Sequence, residues 1–279
     1  PYVRGRERSR EKSLILDEAR QMISAGYKDI TLLGQNVNSY GKTLADKPTF
    51  AQLLHEIDSI DGDYWLRFMT SHPKDCSKEL IDTIANGTHI SKHLHLPFQS
   101  GSDRILKAMN RHYDRKKYLD IVNYAKEKID GVSLTSDIIV GFPGETEEQF
   151  NDLYEFVKKV RFDRMGAFTY SQEEDTPAAD FPNQVDEEIK EERLDRLMTL
   201  QQGISLELNK AKLGKTLEVL VEGYDEESFL FYGRSRGDSI DVDGKVYFAT
   251  EEEVTPGDII KVKILDADEY DLTGQAEVI

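Results

Sequence analysis

Cysteine is nearly absent: Cys76 is the single one among 279 residues. One thiol excludes a disulfide framework and any metal site built from several cysteines within these residues. Long apolar runs are missing too. None approaches the roughly 18 residues of a membrane span, and no signal-peptide pattern opens the chain. Basic residues are scarce, 36 Lys and Arg against 53 Asp and Glu, giving a formal net charge of −17. Phosphate contacts need Lys and Arg, so the surface as a whole is no general nucleic-acid binder. A hydrophobic fraction of 38% still suffices for real cores. These limits predict a soluble, cytoplasmic, acidic protein with no membrane partner.

The charge is unevenly spread. Residues 213–279 hold six basic and 17 acidic residues, a balance of −11, while the preceding 212 residues carry only −6. Such asymmetry marks separate surfaces with separate partners. At the other end, Arg4, Arg6, Arg8 and Arg10 alternate and would share one face of an extended segment. They form either a solvated basic arm or an arm that touches an anionic ligand or RNA.

Between these ends, helical and strand-like patterns alternate. Leu14 to Ile23, Phe50 to Ile60, Leu80 to Ala85, Asp103 to Met109 and Tyr118 to Lys128 have helical spacing. Short apolar strands are expected at 29–34, 64–69, 93–98, 132–140 and 164–170. Thr146 and Gln149 have capping-box spacing ahead of a further helix striped by Phe150, Leu153, Tyr154 and Val157. Five strands alternating with helices imply parallel βαβ units, and their apolar character on both faces suggests a barrel. Loops after the strand C-termini should then carry the chemistry. From Pro182 the pattern changes to one charged helix, Val185 to Lys212. Beyond Gly214, strands are expected at 216–222, 229–233, 246–249 and 259–265, with turns at Asp243-Gly244 and Pro256-Gly257. This reads as a small all-β, OB-like barrel. The predicted division is therefore 1–181, a linker helix 182–212, and 213–279.

The strand-end loops are rich in amides and hydroxyls: Gly34-Gln-Asn-Val-Asn-Ser-Tyr40, Thr70-Ser-His-Pro73, Gln99-Ser-Gly-Ser102, Asp137, and Tyr170-Ser-Gln-Glu-Glu174. They suit a polar ligand with amino, carboxylate and ribose groups, although loop polarity and helix capping explain some of them. Gly141-Phe-Pro-Gly-Glu-Thr146 lacks the Gly-Lys-Ser/Thr ending of a phosphate loop. Glycine there would allow close backbone approach to a ligand, with a helix N-terminus behind it. His93 and His95 share a strand face, which suits a structural or pocket role better than a metal pair because no third ligand is evident. His72 is either functional or a turn stabiliser, and Cys76 reads as a buried small hydrophobe.

Several long motifs in order give this chain a family resemblance. Pro1-Tyr-Val-Arg-Gly-Arg-Glu-Arg-Ser-Arg10, Leu33-Gly-Gln-Asn-Val-Asn-Ser-Tyr-Gly41, His95-Leu-Pro-Phe-Gln-Ser-Gly-Ser102 and Ile139-Val-Gly-Phe-Pro-Gly-Glu-Thr146 resemble radical S-adenosylmethionine methylthiotransferases. The resemblance implies a partial radical-SAM, TIM-like barrel with five of six strands present, followed by a TRAM β-barrel that binds the substrate macromolecule. It implies S-adenosylmethionine and 4Fe-4S clusters as cofactors of the parent enzyme. It further implies a fragment without the N-terminal domain, first barrel strand and cluster cysteines, inactive alone, since one thiol cannot hold a four-iron cluster. By position, Gln35, Asn36, Ser71, Gln99, Ser100, Asp137, Arg8 and Arg10 would face the cofactor. His72, Tyr170, Arg234 and Arg236 are the candidates for the substrate. Asp175 stands where glycine is expected, which puts the local turn in doubt.

Two substrates compete. The loops of the front half look like the branch that methylthiolates isopentenylated adenosine beside the tRNA anticodon. Phe162 to Gln172, Leu200 to Ser205, Tyr232-Gly-Arg234 and Ala267 to Leu272 look like the branch acting on an aspartate of a basic small-subunit ribosomal protein. The −11 module would repel phosphates and attract a Lys/Arg-rich protein. The ribosomal protein is thus the expected partner, with tRNA the alternative. A non-catalytic binding fragment is the reading from another class.

Overall fold

A computed structural model describes residues 7–69, 71–240 and 242–277. Arg4 and Arg6 of the alternating arm, and Thr70 of the Thr-Ser-His-Pro loop, lie outside the described residues.

The five expected strands form, and all are parallel. They are β1 (Asp29–Leu32), β2 (Trp65–Phe68), β3 (His93–His95), β4 (Ser133–Val140) and β5 (Arg164–Thr169). β1 pairs with β2, and β3, β4 and β5 pair in that order. An isolated parallel bridge between Leu66 and Ile90 links the two groups into an open, barrel-like α/β wall. Helices α1 (Lys12–Ser24), α2 (Phe50–Asp58), α3 (Lys78–Asn86), α4 (Asp103–Ala108), α5 (Arg115–Lys128) and α6 (Glu147–Val160) accompany them. Thr49, Ser77, Asp114 and Thr146 cap α2, α3, α5 and α6 by accepting from backbone N–H groups. The expected capping box at Thr146 and Gln149 is present. Apolar faces of these helices meet the strands in one core that includes Leu54, Ile57, Leu66, Leu94, Phe98, Tyr118, Leu134, Phe150 and Phe156.

The charged helix is α7 (Glu187–Lys210). Read from sequence as a linker, it instead packs on the α/β body, burying Leu197 and Ile204 together with Lys190, Arg193, Gln201, Ser205 and Asn209. Most of these polar side chains find partners inside, although Arg193 Nε and Gln201 Oε1 have none among the described residues. Arg193 pairs with buried Glu145 at 3.0 Å, Gln201 donates to the Phe162 carbonyl at 2.8 Å, and Ser205 donates to that of Asp163 at 2.9 Å.

The remaining strands, β6 (Thr216–Asp225), β7 (Leu230–Ser235), β8 (Val246–Ala249), β9 (Ile259–Ala267) and β10 (Leu272–Ala276), close a barrel in the order β6-β7-β8-β10-β9. Only β10 and β8 run parallel. A five-stranded closed barrel agrees with the OB-like expectation. Sequence reading missed β10, the closing strand.

The small barrel docks on the N-terminal ends of the parallel strands. Asp29, the first residue of β1, accepts from Arg234 at 2.5 Å and from Arg67 at 2.8 Å. Ser133, first in β4, donates to the Gly237 carbonyl at 3.1 Å, and Arg164, first in β5, donates to that of Tyr270 at 2.9 Å. Trp65, first in β2, is fully buried with the guanidinium groups of Arg67, Arg234 and Arg236 within 5.3–6.0 Å of its ring. Asn209 of α7 adds a bond to the Asp268 carbonyl at 2.8 Å. The loops at the C-terminal ends are left at the other end of the strands.

Candidate functional site

Two cavities lie along the parallel strands. One, of about 330 Å³, opens beside β1 and is lined by Arg8, Arg10, Gln35 and Asn36 along with apolar Ile15, Ile30, Leu32 and Phe50. The chain before α1 crosses the loop after β1 to shape it. Ser9 accepts from the Gly41 N–H at 2.9 Å and its own N–H donates to Thr43 at 2.8 Å, while Tyr40 donates to the Arg10 carbonyl at 3.0 Å. Arg10 pairs with Glu18. Asn36 is oriented by donating to Asp75 at 2.7 Å, which leaves its Oδ1 buried without a partner among the described residues. Burial alone would raise the Asp75 carboxyl, but hydrogen bonds from Lys42 and Asn36 hold it below its ordinary value.

A second cavity, of about 460 Å³, lies inside the wall and reaches the small barrel. Its lining includes His95, Thr135, Asp137, Arg164, Gln202 and Tyr270. Strand register builds its polar face. His93 pairs with Ser133 and His95 with Thr135, so alternate residues of β3 and β4 look the same way. Thr135 Oγ1 lies 3.0 Å from His93 Nε2 and 2.9 Å from His95 Nδ1. His95 Nε2 lies 3.3 Å from Asp137 Oδ2. A hydroxyl has one proton, and a carboxylate only accepts. The pairing is satisfied when His95 donates to Asp137, Thr135 donates to His95, and His93 donates to Thr135. Gly166 faces Asp137 across the β4–β5 ladder, where a Cβ would stand 2.9 Å from Asp137 Oδ1. Burial, then Arg67 and His95, lowers His93 to about 3, so it is neutral. Among the described residues no three His, Cys, Asp or Glu side chains are grouped to hold a metal ion.

The expected cofactor residues are not gathered in one cavity. Arg8, Arg10, Gln35 and Asn36 share the first, while Asp137 lines the second. Ser71 and Ser100 are buried at the ends of β2 and β3, and the Ser71 Oγ has no partner among the described residues. Gln99 adopts φ +74 and extends the β3–β4 ladder, donating from its N–H to the Asp137 carbonyl at 3.0 Å.

Several expectations need correction. Arg234 is 4% exposed and committed to Asp29 and Glu222, and Arg236 bonds Glu218 and the Thr88 carbonyl. Both fasten the small barrel to the larger body and are not available to a substrate. Tyr170 is packed with Ile105 and Phe142, its ring 5.3 Å from that of Phe142. Gly141 approaches a helix instead of a ligand: a Cβ there would fall 2.4 Å from Lys190 Cγ of α7. Its N–H is taken by Glu145 at 2.6 Å. His72 accepts from the Lys74 N–H at 3.1 Å and so stabilises its turn. Cys76 is buried, its thiol pushed up to about 12 by burial, as a small hydrophobe should be. Thr135 was missed, although its place two residues before Asp137, opposite a His-x-His strand, was the available signal.

Residues 1–157 match the Radical SAM superfamily, and residues 213–276 match the TRAM domain. The chain is 49% identical over 275 residues to the tRNA-2-methylthio-N(6)-dimethylallyladenosine synthase of Carboxydothermus hydrogenoformans, covering 98% of this chain and 61% of that protein. It is 50% identical over 278 residues to the synthase of the same name from Clostridium botulinum strain Okra, covering 99% and 60%. The chain thus spans about three fifths of the length of these curated relatives. Among solved structures, coproporphyrinogen III oxidase of Escherichia coli, described as a radical SAM enzyme, is similar with a TM-score of 0.47 and 17% identity, over 71% of this chain and 46% of that one.

Proposed function

Since the chain belongs to the radical SAM superfamily, in its methylthiotransferase family, and carries a TRAM domain, we propose that it supplies the core of an enzyme that methylthiolates a dimethylallylated adenosine of tRNA. The observation that carries this reading is identity at about half of the positions, across nearly the whole chain, to synthases named for that product. It takes precedence over the ribosomal-protein reading, which rested on the rear-half motifs and on the −11 balance of the small barrel.

Geometry supports the change. The acidic barrel docks at the N-terminal strand ends, and the eight residues of β4 span about 26 Å at 3.3 Å each. Exposed charges are screened over roughly 8 Å at physiological salt. Repulsion from the barrel therefore fades before the strand C-termini, where the candidate loops lie.

S-adenosylmethionine fits this chain. Asn36 Oδ1, next to Gln35 in the first cavity, is a buried polar atom without a partner among the described residues, able to take up a polar group of such a ligand. Arg8 would offer positive charge to a carboxylate, whereas Arg10 is paired with Glu18. An iron–sulfur cluster does not fit, because the one thiol is buried and protonated. In this reading the cluster's thiolates come from outside these 279 residues, and the chain alone does not cleave S-adenosylmethionine. With a cluster, that cofactor supplies the radical chemistry; the residues here bind, orient and enclose.

The test is a competition at fixed salt between an anticodon stem-loop containing dimethylallyladenosine and a Lys/Arg-rich small-subunit ribosomal peptide. The stem-loop is expected to bind more tightly. Preference for the peptide would restore the ribosomal-protein reading.

A further inference from the structure

The sequence from Asp103 to Lys117 carries six basic and two acidic residues, a balance of +4 within a chain of −17. It forms α4, the connection after it, and the start of α5. Three of its cations are tied down. Arg104 donates to Gln149 at 2.7 Å, Arg115 pairs with Asp152 at 3.4 Å, and Lys116 pairs with Asp120 at 2.9 Å. The others are not. Lys107, Arg111 and His112 have no side-chain ion pair among the described residues, and Arg111 Nε is buried without a partner. Lys117 donates to the Lys74 carbonyl at 3.4 Å, and Lys74 itself comes no closer than 4.0 Å to Asp75.

Arg111, His112 and the Lys74–Lys117 pair lie near the strand C-termini, and Lys107 precedes them on the same segment, its carbonyl accepting from the Asn110 N–H at 3.0 Å. The Tyr113 hydroxyl donates to the Phe98 carbonyl at 2.9 Å, which pins the Arg111–His112 connection to the end of β3. The His72 ring, four residues beyond β2, meets the Tyr113 ring edge-on at 5.5 Å. Burial, then Arg111, holds His72 below its ordinary value, with Asp75 opposing and Lys74 and His112 adding. A rim of basic side chains, with Lys107 and Arg111 free of ion pairs among the described residues and Lys74 and Lys117 only loosely held, suits a repeating anionic backbone better than a single carboxylate. The small barrel offers less, since Arg234 and Arg236 are held in its own docking contacts.

We propose that Lys74, Lys107, Arg111, His112 and Lys117 form a docking rim for the phosphate backbone of an RNA whose target nucleoside enters between the strand C-termini. This rests on the tRNA reading above and names the surface that receives the RNA.

The test compares the unaltered chain with K107Q/R111Q/K117Q and with K261Q/K263Q, two exposed lysines of β9 in the small barrel. Each is titrated with an anticodon stem-loop over a range of salt, and with an acidic peptide. Thermal melting checks that the variants fold. Each lost phosphate contact should lower the slope of log K against log salt by about 0.7–0.9, so the rim variant should lose about 2 in slope and tenfold or more in affinity. The β9 variant should bind RNA as the parent does. Equal binding by the parent and the rim variant would overturn the rim while leaving the tRNA reading in place. Loss in the β9 variant instead would move docking to the small barrel. If only acidic-peptide binding falls in the rim variant, the partner is a protein and the proposal fails. A parent chain that binds no stem-loop would remove both the rim and the reading it rests on.

Discussion

His93 is buried against Thr135 with the Arg67 charge acting on it, and that burial makes it a liability in acid. Its folded value of about 3 lies below the unfolded 6.5, so the unfolded chain takes up the proton first as pH falls. Its contribution is intact above pH 6.5 and is lost as pH drops towards 3, at up to about 1.4 kcal/mol per pH unit. His93→Gln keeps a donor for Thr135 and removes the titration. Urea midpoints of parent and variant should keep a constant difference above pH 6.5, and the difference should shift in the variant's favour between pH 6 and 4. A gap that stays flat over that range contradicts this account. Asp175 illustrates what single residues can disclose: glycine was expected there, and the backbone adopts φ +62, a left-handed conformation that glycine takes without strain. The roles of Arg234 and Arg236 were not legible, because an arginine near a barrel surface reads as free until its carboxylate from a distant strand is located.

At the scale of elements, all five parallel strands and the helices between them could be read from apolar spacing. The exceptions have a common cause. β10 carries few apolar side chains, and it forms because β8 and β9 each offer it a free edge. The inward face of α7 mixes Leu197 and Ile204 with buried Lys190, Arg193, Gln201, Ser205 and Asn209, so no clean hydrophobic stripe announced that it packs. Its anchor is Arg193 on Glu145, both almost fully buried. Arg193→Met would strand that carboxylate and should cost about 3–5 kcal/mol, read as a lower midpoint in denaturant. Adding Glu145→Gln should recover part of the loss. If the double variant is no better than the single one, the pair is not what holds the helix.

At the scale of the molecule, the two β systems are joined by the Asp29, Arg67 and Arg234 cluster and by carbonyls accepting from Arg67 and Arg236. Arg234→Met removes one cation and leaves Asp29 with Arg67 alone, so docking should weaken by about 1–3 kcal/mol. Limited proteolysis around Lys212 to Lys215 should accelerate, and thermal unfolding should separate into two steps. Unchanged cleavage would show that α7 carries the junction unaided. The candidate loops were legible as polar strand ends, whereas their division between two cavities was not, since it depends on which side of β1 the N-terminal arm passes.

Docking of the acidic barrel at the N-terminal strand ends, with a net basic segment, 103–117, near the C-terminal ends, makes the protein an electric dipole. A polyanion meeting it in solution is turned before contact, and approaches that present the wrong end are disfavoured at low salt. The charge balance that first argued against nucleic acid thereby acts on orientation: it selects the direction from which one arrives.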